Sequence, residues 1–300
     1  MDGILALWKP KGWTSHDCVM KARKLLKTKK VGHTGTLDPD VEGVLPLCIG
    51  TATKIVPFLT DTRKDYDAVV CVGSSTDTED ASGEVISEKV VDPALTLSEV
   101  EQVIKQFEGE ITQIPPMYSA VKVNGKKLYE YARKGETVER PSRKVQIHQI
   151  ELLSSSLSEQ DGKVHFPIRV TCSKGTYIRT LCVDIGAALG YPAHMAHLVR
   201  TRTGDFGKED CYSIEEVEKH ATNDSVSQIL LPMERGLNHI EAWTVDEGLA
   251  ERIKFGQVLN QTDDLPDSNP FRVVHEGKTL AIYQRHPAKE GKIKPVRVFN

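Results

Sequence analysis

Residues 163–190 read KVHFPIRVTCSKGTYIRTLCVDIGAALG, and this stretch decides the fold class. From 164 to 172 apolar and polar residues alternate, so Val164, Phe166, Ile168, Val170 and Cys172 share one face of a strand. The polar turn at 173–176 breaks that period. From about Tyr177 to Leu189 the apolar spacing turns helical, and Gly190 can end the helix. Arg179 then stands in the first turn of a helix at a strand end, where sites often form.

Upstream, residues 145–153 have a strand pattern, and 66–72 alternate with Tyr66, Ala68, Val70 and Val72 on one face. Ser98 with Glu101 forms a capping box for a helix carrying Val100, Val103, Ile104 and Phe107. Residues 3–8 predict a short strand that ends at the turn Lys9-Pro10-Lys11-Gly12. A helix follows from Thr14 or Ser15, with Val19, Ala22, Leu25 and Leu26 as its buried stripe. Residues 31–50, VGHTGTLDPDVEGVLPLCIG, are rich in Gly, Thr, Asp and Pro and predict a long loop with a buried segment at its end. Strands and helices alternate without βαβ regularity. That predicts an α+β fold with a mixed, mainly antiparallel central sheet and flanking helices.

Two regions stand apart. Residues 110–144 fit neither period and contain Pro115-Pro116, Asn124-Gly125 and three tyrosines, so they are expected to project from the sheet as an insertion. After Pro232 the character changes, and 237–300 combine a short helix near 246–255 with β-rich pieces at 271–274 and 280–283. This predicts domains at 1–236 and 237–300.

The 300 residues are 39% apolar and 27% charged, enough for a sizeable core. No apolar run approaches the ~20 residues of a membrane span, and the N-terminus lacks the basic region of a secretory signal. Six cysteines without CxxC or zinc spacing predict reduced thiols and a cytoplasmic protein. Net charge is −3, yet residues 21–30 hold six basic side chains and no acid, and residues 122–144 hold eight against three. Such stripes either track phosphates or are solvated faces.

Asp38 lies in Gly35-Thr36-Leu37-Asp38-Pro39, where the proline holds it away from helix. It is either a nucleophile or base on a rigid loop, or an Asx-type turn residue. Arg179 could hold a carboxylate ionised, or make a surface salt bridge. Other motifs fail. Gly277-Lys278-Thr279 has Arg272 where a phosphate loop needs glycine, and Asp77-Thr78-Glu79-Asp80 has Ser82 where a calcium loop does. That acidic cluster is expected to be a polar turn. His194 and His197 have no third metal ligand in the pattern, and Gly32-His33-Thr34-Gly35 is a weak GxxG match.

Several of these motifs together resemble the TruB family of tRNA pseudouridine synthases, which modify uridine 55 of the T-loop. They are Lys9-Pro10-Lys11-Gly12 with Thr14-Ser15, Gly32 to Pro39, Lys64-Asp65-Tyr66, and Gly73 with Thr76-Asp77-Thr78. Pro115 to Ala120, Lys174 to Arg179, and Leu198 before Arg200-Thr201 complete the set, in the family's order across 1–240. The resemblance implies the pseudouridine synthase fold, with 110–144 as an RNA-gripping thumb and 237–300 as a PUA-like RNA-binding domain. It implies Asp38 as the catalytic aspartate, Tyr66 stacking on the target base, and Arg179 pairing with the aspartate. His33 would fill the T-loop stack, while Tyr177 and Leu198 line the pocket and Lys9 and Pro10 serve substrate binding. The implied partner is the T-arm of tRNA, bound by a monomer with no membrane or protein partner. The isomerisation neither oxidises nor hydrolyses, so no metal or other cofactor is implied. Asp38 could attack C1′ or C6, or abstract a ribose proton, and Tyr66 could remove the C5 proton. Two other functions compete. One is a non-catalytic RNA-binding protein of the same fold. The other is a glycosidase using Asp38 and Asp77, which would release free base.

Overall fold

A computed structural model describes residues 1–92 and 95–299. The chain divides into two compact units, the first formed by 1–62 with 203–300 and the second by 63–202.

The first unit opens with β1 (Gly3–Lys9), α1 (Ser15–Leu25), β2 (Val31–His33), β3 (Glu42–Ile49) and α2 (Val56–Thr60). Thr14 caps α1 in a reciprocal box with Asp17. The helix buries Cys18, Val19 and Ala22, and Leu26 just beyond it is buried too, whereas Leu25 is half-exposed. β3 is the centre of this part, antiparallel to β1 on one side and to β2 on the other. Leu5 and Leu7 of β1 enter one apolar cluster, and Ile4 and Ala6 enter the opposite one. Burial on both faces explains why β3 was not legible as a strand. Residues 43–49 are all buried, so no polar residue alternates with the apolar ones. The long loop expected over 31–50 therefore shrinks to residues 34–41, between β2 and β3.

The second unit contains β4 (Lys64–Val72), β5 (Ser74–Thr76), β6 (Val85–Glu88), α3 (Leu97–Lys105), β7 (Gly109–Gln113), β8 (Lys122–Val123) and β9 (Lys126–Lys127). It continues with α4 (Leu128–Ala132), β10 (Arg143–Leu152), β11 (Ser158–Gln160), β12 (Lys163–Cys172), α5 (Ile178–Ala188) and β13 (Ala193–Thr203). Its sheet runs β13-β4-β12-β10-β7. The alternation that predicted β12 is observed, with Val164, Phe166, Ile168, Val170 and Cys172 all buried. α5 follows with Tyr177 as its N-cap residue, and Gly190 takes φ +84° past its end.

Two local expectations change. The capping box of α3 is Thr96 with Glu99, two residues before the expected Ser98 and Glu101. Both pairs satisfy the spacing, and the earlier start lets Leu97 join Val100 and Ile104 on one face. Phe107 lies beyond the helix. The insertion is also shorter at its base. Glu110 to Gln113 pair with Arg143 to Gln146, which leaves 114–142 to project. Strand β7 carries one large apolar residue, Ile111, too few to display a period.

The chain returns to the first unit through β14 (Phe206–Gly207), α6 (Ile214–Thr222), β15 (Ala242–Thr244), α7 (Glu247–Lys254), β16 (Leu259–Asn260), β17 (Phe271–His275), β18 (Lys278–Arg285) and β19 (Lys292–Val298). The last five strands form a separate sheet in the order β15-β17-β18-β19-β16. Trp243, Phe271, Val273, Tyr283 and Ile293 lie in its own apolar cluster. The pair β15–β17 is parallel, whereas β17–β18 and β18–β19 are antiparallel. The architecture is the α+β fold with mainly antiparallel pairing that the sequence predicts. No described helix is long and apolar enough to cross a membrane.

Candidate functional site

In the first unit, the β2–β3 connection carries Asp38. Register brings its supports together, because Lys9 at the end of β1 pairs with Gly43 at the start of β3. The Lys9 side chain is fully buried, and its ammonium donates to the carbonyls of Pro10 (2.9 Å), Trp13 (2.5 Å) and Pro39 (3.1 Å). The Gly12 amide donates to the same Pro39 carbonyl at 2.8 Å. On the other flank, Ser15 Oγ accepts from the Leu37 amide at 2.9 Å and donates to the Leu37 carbonyl at 3.3 Å. Leu37 is buried, and the Val41 amide closes the turn on the Asp38 carbonyl at 3.1 Å. Asp38 itself is half-buried between two pinned neighbours. Such bracing is what a carboxylate needs to keep one geometry. His33 ends β2, with its Nδ1 accepting from the Gly35 amide at 3.4 Å. Gly35 has φ +150°, where side chains are disfavoured.

In the second unit, Tyr66 lies on β4 opposite Val170 of β12 and is 8% exposed. Two residues away, Lys64 pairs with Cys172, after which the chain enters Lys174-Gly175-Thr176-Tyr177. The backbone of Tyr177 is held twice by the buried Gln113. Its amide donates to Oε1 at 2.9 Å, and its carbonyl accepts from Nε2 at 3.1 Å. Leu198 is 8% exposed on β13, the strand beside β4.

Arg179 is 5% exposed. It donates to the Thr78 carbonyl at 3.1 Å and the Tyr118 carbonyl at 2.9 Å, and it meets the Asp80 carboxylate at 3.6 Å. The acidic stretch expected to be a polar turn does follow β5, and it also cradles this arginine. Glu79 adopts φ +64° and accepts from Thr180 Oγ1 at 2.9 Å. Burial raises the pKa of Glu79, and hydrogen bonding and nearby arginines only partly offset it. Asp184, further along α5, is pushed up to about 6, first by burial and then by the Glu79 charge. Gln113, Asp80 and Glu79 are parts of this arrangement that the sequence reading missed. Gln113 sits in a strand without a visible period, and the acids looked like ordinary turn residues.

The insertion makes its own small core. Leu128 is fully buried, and Tyr131 donates to the Val123 carbonyl at 3.0 Å. Lys127 and Arg133 lie 5.3 Å from the Tyr129 ring, and Lys126 lies 5.6 Å from Tyr131. Among the described residues no cluster of His, Cys, Asp and Glu could hold a metal ion. His194 instead hydrogen-bonds the Ser74 carbonyl through Nδ1 at 2.8 Å.

The family described as TruB family pseudouridylate synthase (N terminal domain) matches residues 23–178, and the tRNA pseudouridylate synthase B C-terminal domain matches 179–238. The chain belongs to the TruB family of pseudouridylate synthases. It is 57% identical to a protein of Oceanobacillus iheyensis named tRNA pseudouridine synthase B, over all of this chain and 98% of that protein. The protein of that name in Bacillus subtilis (strain 168) is 51% identical, over all of this chain and 98% of its own length. A chain from the crystal structure of a Cbf5-Nop10-Gar1 complex superposes with a TM-score of 0.75 at 27% identity, covering 99% of this chain and 85% of that one. The fold is thus the pseudouridine synthase fold, and the protein is an enzyme of the isomerase class.

Proposed function

We propose that the protein converts uridine 55 in the T-loop of tRNA to pseudouridine, with Asp38 as the catalytic residue. The observation that carries this reading is the Asp38 loop. It is braced by Ser15 on one flank and by Lys9 and Gly12 on the other, in a chain 57% identical end to end to a tRNA pseudouridine synthase B. In the reaction the N1–C1′ bond breaks, the base turns, C5 bonds to C1′, the C5 proton leaves and N1 gains one. The product is an isomer, and no cofactor is consumed.

The target base must leave the RNA stack, which costs a few kcal/mol. Stacking on Tyr66 returns about 1–3 kcal/mol of this. His33 fills the gap left in the T-loop. Tyr177 and Leu198 line the pocket, and Leu198 helps to keep bulk water from the detached base. Arg179 pairs with Asp38 and keeps it ionised, and Tyr66 removes the C5 proton. Lys9 and Pro10 act on the substrate side through the loop they support. The insertion grips the T-arm, and 237–300 form a PUA-like RNA-binding domain appended to a catalytic domain over 1–236. The protein works in the cytoplasm as a monomer without a protein partner.

The test uses T-arm RNA carrying tritium at uridine C5. The expected result is tritium release with an intact strand and no free uracil. Free uracil would identify a glycosidase, and binding without release would identify a non-catalytic RNA-binding protein.

A further inference from the structure

Arg143 is the first residue of β10 and follows the exposed Pro141 and Ser142. Its guanidinium lies over the ring of Tyr177, with Cζ 4.4 Å from the centroid. Gly175, at φ +80°, makes room for it. A Cβ there would come within 3.2 Å of Arg143 Nη1 and 3.7 Å of Cζ. The group is thus held close against the loop that carries Tyr177.

The other edge of the guanidinium has no such support. Nε and Nη2 of Arg143 are both buried, and neither has a hydrogen-bond acceptor among the described residues. Desolvated donors without acceptors are costly, and cationic ones more so. These two N–H groups form the side-on fork of an arginine, whose parallel donors match two oxygens of one phosphate. The contact with the Tyr177 ring uses neither of these donors.

We propose that Arg143 clamps one backbone phosphate of the RNA, at or next to the nucleotide that enters the pocket lined by Tyr177. This rests on the reading of the Tyr177 region as the RNA pocket. Reaching the fork requires the residues that cover both donors to move aside, and a phosphodiester then supplies the two oxygens and the negative charge that the fork lacks. Arg143 thereby ties the end of the insertion to the Lys174-Gly175-Thr176-Tyr177 loop through the substrate.

The test replaces phosphates of the T-arm RNA one at a time by neutral methylphosphonates. Affinity is measured in an Asp38→Asn background, so that no turnover intervenes. At one linkage the neutral group should weaken binding about tenfold, and Arg143→Gln should suffer no further loss at that linkage alone. Additive losses at every linkage would overturn the clamp. Arg143→Lys keeps the cation and loses the fork, so its affinity should also fall about tenfold while the salt dependence stays that of the parent. Full affinity in Arg143→Lys would overturn the bidentate contact even if Arg143→Gln failed to fold. Tritium release by the otherwise unaltered enzyme separates the two ideas. Release without linkage coupling removes only the clamp, and coupling without release leaves a clamp in a protein that does not isomerise.

Discussion

Asp38→Asn keeps the side chain's volume and removes its charge and nucleophilicity. The braces on the loop act through backbone groups of Leu37 and Pro39, so the loop should survive the change. Tritium release should be lost while affinity for tRNA changes less than about tenfold, or ~1.4 kcal/mol. Substantial turnover by the pure variant would remove Asp38 from the chemistry. For Arg179 the decisive readout is pH. In the proposed pairing with Asp38, losing the cation raises that carboxylate's pKa, so Arg179→Ala should shift the acid limb of the rate profile upward. The same arginine also holds Thr78 and Tyr118 by their carbonyls, so Arg179→Ala loses position as well as charge. Arg179→Lys should therefore restore the acid limb without restoring the full rate. An unmoved limb in Arg179→Ala, with chemistry limiting, would refute the pairing. At this scale the sequence revealed identities better than contacts. Lys9 stood out as part of a motif, but nothing in the motif says that its ammonium is buried among three carbonyls. Gln113 carried no signal, because its role is to grip the backbone of a residue 64 positions away.

Helix α5 shows what an element costs when it serves a site. Its first turn presents Arg179 and Thr180 to the acidic turn after β5, and its next turn holds Asp184 within reach of the charge of the half-buried Glu79. The folded-state pKa of Asp184 is about 6, above its ordinary 3.8, so folding disfavours its charged form. Below pH ~4 the group is protonated folded or unfolded and carries no penalty. As pH rises from there, the unfolded chain releases the proton first, and the penalty grows until the pH passes about 6. Asp184→Asn should thus stabilise the protein at pH 8 by ~1–3 kcal/mol and have little effect at pH 4. Urea unfolding at both pH values checks this, and an equal effect at the two would disprove it. Elements with alternating faces, such as β4 and β12, were legible because one side is more buried than the other. β3 was not, because an element buried on both faces shows no period. The start of α3 was ambiguous by two residues because two overlapping capping boxes satisfy the same rule.

Across the whole molecule, charge is separated rather than abundant. The net charge is −3, yet residues 122–144 alone carry eight basic and three acidic side chains. The sequence indicated that this segment follows neither apolar period and projects from the sheet. The structure adds that Leu128 is buried and that its tyrosines hold its own lysines and an arginine. A cation lying on a ring keeps its charge available to phosphate, so residues 122–134 are ordered locally, while the base of the segment is tied to the body by the Tyr118 carbonyl on Arg179 and by Arg140 at 4.0 Å from Glu79. Segments with few contacts to a main core open readily when free. Neutralising Lys126, Lys127, Arg133 and Lys134 should weaken tRNA binding and flatten its salt dependence by up to about 0.9 per lost phosphate contact. Because three of those four side chains stack on tyrosines, replacing Lys134 alone gives the control with an intact insertion core. Turnover at saturating RNA should persist in both. Limited trypsin digestion reads the same property without mutation. Cleavage within 122–144 should be fast in the free protein and suppressed by saturating tRNA. Equal cleavage in both conditions would show that the insertion stays away from the RNA, whatever its charge.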